Sequence, residues 1–354
     1  RGGAAFPAGI KWQAVADEPG PKFVVCNADE SEPGTFKDRV LMESNPYRLI
    51  EAMIIAGYAV GATQGYLYIR GEYPIAHRRL ANALDEMRSA GFLGGGIAGS
   101  EFSFDVELRK GAGAYICGEE TALFNSIEGF RGEPRQKPPF PTIAGLFARP
   151  TLVNNVESLM NVPDIVLGGG EAFAAVGTED STGPKLFCVS GNVAEPGVYE
   201  TPFGLSTREI LDLAGGAVGD LAAVLVGGAA GTFLTDAQLD VPLTFEDTRT
   251  AGIALGSGVV MAFNTDVDMA GIIRRIAHFF REESCGLCVP CRVGTVRQEE
   301  SLIRLGEGAP ADHELELLAQ LDETLRDASI CGLGQFASSA VQSAIEIGLI
   351  GAPR

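Results

Sequence analysis

Three cysteines spaced two residues apart, Cys285-Gly-Leu-Cys288-Val-Pro-Cys291, are answered forty residues later by Cys331 in Ser-Ile-Cys-Gly-Leu-Gly-Gln. The triplet puts three thiolates on one tight loop facing a common point, and the remote fourth closes the cage. Four-thiolate ligation of this kind suits a cubane [4Fe–4S] cluster, in which each iron takes one cysteine. A structural zinc site is the alternative, since zinc also accepts four cysteines. Zinc ribbons, however, usually show two separate CxxC pairs rather than a triplet plus a singleton. A disulfide framework fits least, because neighbours within the triplet have no obvious partners and the chain is large.

The 354 residues suggest two or three domains, and 46% hydrophobic with 21% charged content describes an ordinary globular protein. A net charge of −19 disfavours binding to nucleic acid or to an anionic membrane surface. The most apolar runs, 53–62 and 252–263, are too short or too glycine-broken to span a membrane, and no segment reads as a signal peptide. The chain opens without Met and in mid-motif, so residues before Arg1 are expected in the natural protein. Four of the seven cysteines fall in the metal motif, which points to a reducing cytoplasm. Cys26, Cys117 and Cys188 read as small buried residues.

Residues 1–180 alternate strand-like and helix-like patterns, as an α/β domain does. Strands are expected at 22–27, 64–70 and 102–108, and helices at 46–62 and 74–91, each helix entered by a proline. A further helix is expected from Glu119 to near Gly129, followed by a proline-rich basic loop over 131–141. After a linker near Asp180, residues 181–267 hold four short strands around one helix at 206–214, the proportions of a ubiquitin-like α+β module. Residues 268–354 read as a helical bundle carrying the metal, with an apolar stripe at Leu318, Leu321 and Leu325 and another at Ala340, Val341, Ala344 and Ile345.

Four stretches carry candidate chemistry. Arg1–Gly9 is a glycine-rich loop whose amides could approach a phosphate or a planar ring, although such loops are common. Asn27-Ala-Asp-Glu-Ser-Glu-Pro-Gly34 follows a buried strand, where open α/β sheets bind nucleotides; a solvated turn is the plain alternative. In Tyr115-Ile-Cys-Gly118-Glu119-Glu120-Thr121, a carboxylate could accept from a ribose or ribityl hydroxyl, or simply complement a helix dipole. In Val153-Asn154-Asn155-Val-Glu-Ser158, paired amides could face a heterocycle edge, or Asn155 could cap a helix. The three histidines, His77, His278 and His313, read as surface or packing residues.

Taken together, the words RGGAAFPAGIKW, CNADESEPGTFKDR, GAGAYICGEETAL, KPPFP, PTLVNNVES, ESCGLCVPC and SICGLG resemble, in order along the whole chain, the NADH-oxidising flavoprotein subunit of respiratory complex I. The same subunit type occurs in soluble NAD-dependent formate dehydrogenases and NAD-reducing hydrogenases. The resemblance implies a Rossmann-like α/β flavin domain, a ubiquitin-like β-grasp domain and a helical [4Fe–4S] domain. It implies FMN held by Gly2, Lys11, Asn27, Asp29, Glu30, Tyr115, Gly118, Glu119, Glu120, Val153, Asn154, Asn155 and Ser158. NAD(H) would meet Gly3, Phe6, Lys11, Glu32 and Phe140, with the two phenylalanines around the adenine. Cys285, Cys288, Cys291 and Cys331 would hold the cluster. No side-chain catalyst beyond the flavin is implied, because hydride transfer needs a stacked donor and acceptor rather than a general acid.

The implied partners are iron–sulfur subunits: a thioredoxin-like [2Fe–2S] subunit and a larger iron–sulfur or catalytic one. Two positions depart from the family pattern. Ala5 stands where glycine is usual, and Ala14 where respiratory members often carry an aromatic. Two other readings of the residues stay open at this point: a zinc-bearing structural subunit, and a docking protein with a vestigial flavin site.

Overall fold

The computed structural model describes residues 1–3 and 5–351, so residues 352–354 of the expected bundle lie outside the described residues. Contacts divide the chain into two units, one of Arg1–Ser31 with Phe36–Phe173 and one of Glu32–Thr35 with Ala174–Arg354.

The first unit is built on four strands, β1 (Phe23–Ala28), β2 (Gln64–Ile69), β3 (Asp105–Lys110) and β4 (Thr151–Asn155). All pairings are parallel and the order is β3-β2-β1-β4. The uninterrupted apolar runs of β1 and β2 suit the middle of a sheet covered on both faces. β3, with Glu107, Arg109 and Lys110 partly in water, takes an edge. The helix Pro46–Val60 starts where Asn45 accepts from the Arg48 N–H and stops at Gly61, whose φ of 75° only glycine adopts without strain. It buries Leu49, Ile50, Met53 and Ala56 in the core of this unit. Gly57 lets that helix press on Phe104, since a Cβ there would lie 2.5 Å from the ring.

The ladder of β3 begins at Asp105, three residues later than its alternation suggests. Phe104 instead bridges to Gly94 and stacks on Phe102 at 6.2 Å, so the Gly94-Gly-Gly96 turn takes those residues out of the sheet. β4 escaped the sequence reading because its five residues carry too short a pattern to separate from the helix start that follows. The chain runs outward from β1 through β2 to β3 and then returns to the other side of β1. The order therefore reverses between β1 and β4, and their carboxyl ends are where an open α/β sheet of this order places a binding crevice.

In the second unit, β5 (Pro184–Gly191), β6 (Gly197–Pro202), β7 (Leu221–Val226), β8 (Thr232–Leu234) and β9 (Val259–Asn264) form a sheet of order β6-β5-β9-β7-β8. β5 and β9 are its parallel central pair, and every other pairing is antiparallel. The helix Thr207–Leu213 begins with a reciprocal Ser206–Glu209 cap and buries Ile210 and Leu211 among the sheet's core residues. There are five strands rather than four, because three-residue β8 has no readable periodicity.

The helices Met269–Glu283, Val289–Gly306, Ala311–Ala328, Gly332–Gln335 and Ser339–Glu346 follow. Leu318 and Leu325 are fully buried, and Leu325 packs where a Cβ on Gly294 would meet it at 2.9 Å. Ser343 on the last helix accepts from the Phe233 N–H of β8 at 2.9 Å. That contact, with the packing of the helix on β8, gathers 181–267 and 268–351 into one unit. No helix among the described residues is long and apolar enough to cross a membrane.

Candidate functional site

Asn27 and Asn155 pair in register at the ends of β1 and β4, on either side of the crevice. The Asn27 amide donates to the Gly118 carbonyl at 2.8 Å and accepts from the Asp29 N–H at 3.2 Å, which joins two of the singled-out stretches. Asn154 accepts from the Trp12 indole at 2.9 Å, and Lys11 donates to the Val153 carbonyl at 3.1 Å, so the helix Ala8–Asp17 is fastened across the end of β4. Asn155 caps the helix Val156–Met160, which carries Ser158. The capping reading of this stretch holds: one residue ends a strand and starts a helix.

Gly2 lies against Asn155, where any Cβ would fall 2.9 Å from the Asn155 Cβ. The glycine loop thus brings bare backbone up to the crevice. Gly3 has φ of 99° and Ala5 has φ of 52°, so the alanine occupies a conformation that costs a non-glycine residue about 1 kcal/mol.

The carboxylate pair sits opposite. Glu119 caps the helix Glu120–Glu128, accepting from the N–H groups of Thr121 at 2.8 Å and Ala122 at 2.9 Å. Lys137 reaches back from the proline loop to Glu119 Oε1 at 3.0 Å and Glu120 Oε1 at 2.7 Å. Burial lowers the Lys11 pKa, against the pull of Glu120 and with the push of Lys137, so these three charges feel one another. Lys11 Nζ stands 5.9 Å from the Phe6 ring centre. Phe6 and Phe140 are each 56% exposed, which is unusual for phenylalanine and leaves two ring faces open to a ligand. Tyr115 begins the short turn that ends at Gly118.

Beneath the crevice lies a buried charged cluster that the sequence reading missed. Lys37 is fully buried and binds Asp38 Oδ1 at 2.7 Å, Glu157 Oε2 at 3.0 Å and Asn155 Oδ1 at 3.2 Å. Burial works against its charge, but Asp38, Glu157 and Glu30 together raise its pKa. Glu30 accepts from the N–H groups of Asp38 at 2.8 Å and Arg39 at 3.0 Å, and from the Tyr73 hydroxyl at 3.0 Å. Its carboxyl is consumed inside the protein, at the start of the helix Lys37–Ser44. Nothing in the local pattern marks Lys37, because a lysine after a loop ordinarily reads as solvated.

Glu32 belongs with the second unit. Its carboxylate accepts from the Ala230 N–H at 3.0 Å and lies 3.4 Å from the Ser257 hydroxyl, which also pairs with Thr35 at 2.7 Å. Gly228 has φ of 86° and makes room for it, since a Cβ there would stand 2.6 Å from the carboxyl carbon. Burial pushes the Glu32 carboxyl up to about 7, while its two donors oppose the rise.

Cys288 and Cys331 occupy the cap positions of the helices Val289–Gly306 and Gly332–Gln335, and Cys291 lies in the first turn after Cys288. Thiolates there face helix amino ends, whose dipoles favour negative charge. Cys285 lies on the preceding loop, turned by Gly286 at φ of 79°. Burial first, then the charges of Cys288, Cys331 and Cys285, lift the Cys291 thiol to about 11, with Ser284 opposing. Cys291 therefore feels the charges of the other three cysteines. Among the described residues no three Cys, His, Asp or Glu side chains close to the grouping of ligands around one ion. Ligation would require all four cysteines as thiolates, whose mutual repulsion a cationic iron–sulfur core would offset. Gly334 permits the approach, because a Cβ there would fall 2.9 Å from the Cys291 Cβ.

Comparison with known proteins finds a match over each of the two regions. Residues 1–164 match the family described as the Nuo51 FMN-binding domain, and residues 271–347 the NADH-ubiquinone oxidoreductase-F iron-sulfur binding region. An F subunit of the NADH-quinone oxidoreductase of Rhizobium meliloti (strain 1021) is 45% identical over 98% of this chain and 83% of its own length. This chain belongs to the NADH-quinone oxidoreductase F-subunit family. The corresponding polypeptide of Aquifex aeolicus (strain VF5) is 44% identical over 98% of the chain and 80% of its own. A hydrogenase component is equally similar: HndC of the NADP-reducing hydrogenase of Solidesulfovibrio fructosivorans, at 43% identity over 98% of the chain and 71% of its own.

Among solved structures, an NAD+-reducing [NiFe]-hydrogenase in its H2-reduced state superposes with a TM-score of 0.90 at 43% identity. The match covers 98% of this chain but only 58% of that one, so the chain spans under two thirds of that solved chain. The mixed α/β fold with a parallel sheet is shared. As a member of the F-subunit family, the chain is an oxidoreductase subunit with FMN-binding and iron–sulfur regions. The donor set of the crevice suits that flavin. Lys11 and Lys137 can meet phosphate, Glu119 and Glu120 can accept from hydroxyls, and Asn154 and Asn155 offer amide edges beside the bare backbone at Gly2.

Proposed function

We propose that this chain is the NAD(H):FMN oxidoreductase subunit of a multisubunit complex, with a single [4Fe–4S] cluster as its electron outlet. The observation that carries the reading is the meeting of all four flavin words at the point where the strand order reverses, in a chain whose residues 271–347 match an iron–sulfur binding region. With both groups bound, the flavin supplies the two-electron chemistry with nicotinamide and the cluster the one-electron outlet.

The residues of the chain bind and orient. Lys11 places a cation beside the flavin and opposes charge that builds on it. Glu119 and Glu120, held by Lys137, accept from ribityl or ribose hydroxyls. Asn27, Asp29, Tyr115, Gly118, Val153, Asn154, Asn155 and Ser158 complete the flavin pocket with Gly2, while Glu30, its carboxyl taken up by the helix Lys37–Ser44, supports the pocket from within. Gly3, Phe6 and Phe140 receive the dinucleotide, the two rings stacking on its adenine. Glu32 accepts from a ribose hydroxyl and repels the extra phosphate of NADPH. Cys285, Cys288, Cys291 and Cys331 ligate the cluster.

The finer architecture is part of the same reading. It has a Rossmann-like domain over 1–180, a β-grasp domain over 181–267 and a helical cluster domain over 268–354, working in the cytoplasm. The β6-β5-β9-β7-β8 order, with a helix crossing between the two hairpins, supports the β-grasp assignment. Partners are a thioredoxin-like [2Fe–2S] subunit and a larger iron–sulfur or catalytic subunit. Relatives named for quinone reduction and for hydrogenase activity are about equally similar, so the reading leaves the parent complex unassigned.

The test is an anaerobic absorption spectrum before and after NADH, with iron, zinc and flavin assayed on the same sample. A flavin spectrum that bleaches with NADH and about four irons per chain is expected. Zinc, no flavin and no bleaching would leave a structural subunit instead.

A further inference from the structure

The Asn155 side chain is oriented by a network the sequence did not reveal. Its Oδ1 accepts from Lys37 Nζ at 3.2 Å and from the Glu157 N–H at 3.0 Å, and its Nδ2 donates to Asp38 Oδ2 at 2.6 Å. Turning the amide over would set two N–H donors against its Nδ2 and a carboxylate against its oxygen, so every contact would become repulsive. Lys37 in turn holds Asp38 by the other carboxylate oxygen at 2.7 Å and Glu157 at 3.0 Å. Its three ammonium hydrogens thus have three partners. Lys37, Asp38 and Glu157 are all buried, so water does not compete for these bonds. Asn155 itself is only half-buried, and among the described residues Asp38 is the one acceptor of its Nδ2. One N–H therefore remains to be offered on the side away from the cluster.

We propose that Lys37 and Asp38 are positioning residues for the flavin: they lock the Asn155 amide in the one orientation that presents an N–H donor to the crevice. This rests on the flavin reading of that crevice. It adds that the donor's direction is set from below, by a lysine and an aspartate that do not touch the ligand. A side-chain amide free to turn would offer donor and acceptor in turn, and discriminate poorly between the edges of a heterocycle.

An exchange of side chains separates positioning from plain stability. In Asp38→Asn only one oxygen remains at position 38, so either Lys37 or Asn155 Nδ2 meets an N–H group. In the double variant Asp38→Asn with Asn155→Asp, the amide introduced at position 38 donates to the carboxylate introduced at position 155. That carboxylate still accepts from Lys37 and the Glu157 N–H. Each wild-type contact of the network is again a donor–acceptor pair and the net charge is unchanged, but the N–H offered to the crevice is gone.

The full chain, carrying its metal centre and stripped of FMN, would be titrated with FMN by flavin fluorescence, and its denaturation followed at Trp12. Asn155→Ala is expected to weaken FMN binding about tenfold, and Asp38→Asn to weaken it by about as much while lowering the denaturation midpoint. The double variant is expected to regain the midpoint and still bind FMN weakly. Recovery of FMN affinity together with stability in the double variant would overturn the proposal, as would wild-type affinity in Asp38→Asn, and in both cases the flavin site would stand. Wild-type affinity in Asn155→Ala would remove Asn155 from the flavin site, and the proposal with it.

Discussion

Replacing Glu30 with glutamine should change how the stability of the first unit depends on pH. The Glu30 carboxyl is 4% exposed and serves the first N–H groups of the helix Lys37–Ser44, whose own cap residue Phe36 offers no side-chain acceptor. Burial, and after it the charge of Asp38, raises its pKa to about 7, against the pull of Lys37 and two backbone N–H groups. A carboxyl that titrates higher in the folded protein than in the unfolded chain binds its proton more tightly when folded. Its stabilising contribution is therefore complete below about pH 4.5 and is lost as pH rises through about 7. A displacement of about 2.5 pH units corresponds to about 3 kcal/mol at 1.36 kcal/mol per unit.

Glutamine removes that loss but has one oxygen for two helix N–H groups, and leaving one of them facing an N–H costs about 1–3 kcal/mol. The variant should be less stable than the wild type near pH 5, with the gap closing or reversing near pH 8. Urea titrations over this range, followed by fluorescence of Trp12, report on the right part of the chain. Trp12 is the sole tryptophan and packs against the core of the first unit. A difference between the two proteins that stays constant with pH would show that Glu30 does not change charge in the native state.

Cys288→Ala should strip the chain of iron and spare its flavin, read by paired iron and flavin assays. Gly334→Ala would bring a methyl to 2.4 Å from the Ser329 hydroxyl and 2.9 Å from the Cys291 Cβ, with an expected cost of about 1–3 kcal/mol and poorer iron retention on gel filtration. Glu32→Gln should weaken discrimination against NADPH in kcat/KM, and unchanged selectivity would remove Glu32 from that role. Ala5→Gly should relieve a residue at φ of 52° and raise the melting temperature by an amount worth about 1 kcal/mol.

The cysteine spacing was enough to point to an iron–sulfur region, because a triplet with a remote fourth cysteine suits a cubane, and the family match over 271–347 bears that out. β1 and β2 were legible from unbroken apolar runs, and the helices Pro46–Val60 and Pro74–Ser89 from their prolines. The short strands β4 and β8 were not, since three to five residues hold less than a readable period. The crevice residues were singled out through motif words, while the buried charges that contact them were not. Lys37 and Asp38 owe their role to a helix from another part of the chain, and Lys137 to a loop that folds back onto Glu119 and Glu120. Charges at such positions read as solvated until tertiary contacts bury them. Glu32 was singled out for a ligand, but its contacts with Ala230 and Ser257 could not be read from its neighbours in sequence.

Cys288 and Cys331 stand where serine, threonine or aspartate would ordinarily begin a helix, and neither side chain caps it. A thiol there cannot serve both the leading N–H groups of its helix and a metal, and in the proposed reading these two serve the metal. The amino ends of both helices then depend on the cofactor for anchorage, and a chain not yet supplied with iron should fray at both. Maturation and folding of this segment thus become a single event. Proteases that clear unfinished chains would find the unloaded protein at these two turns, and cofactor insertion would be inspected through the backbone rather than through catalysis.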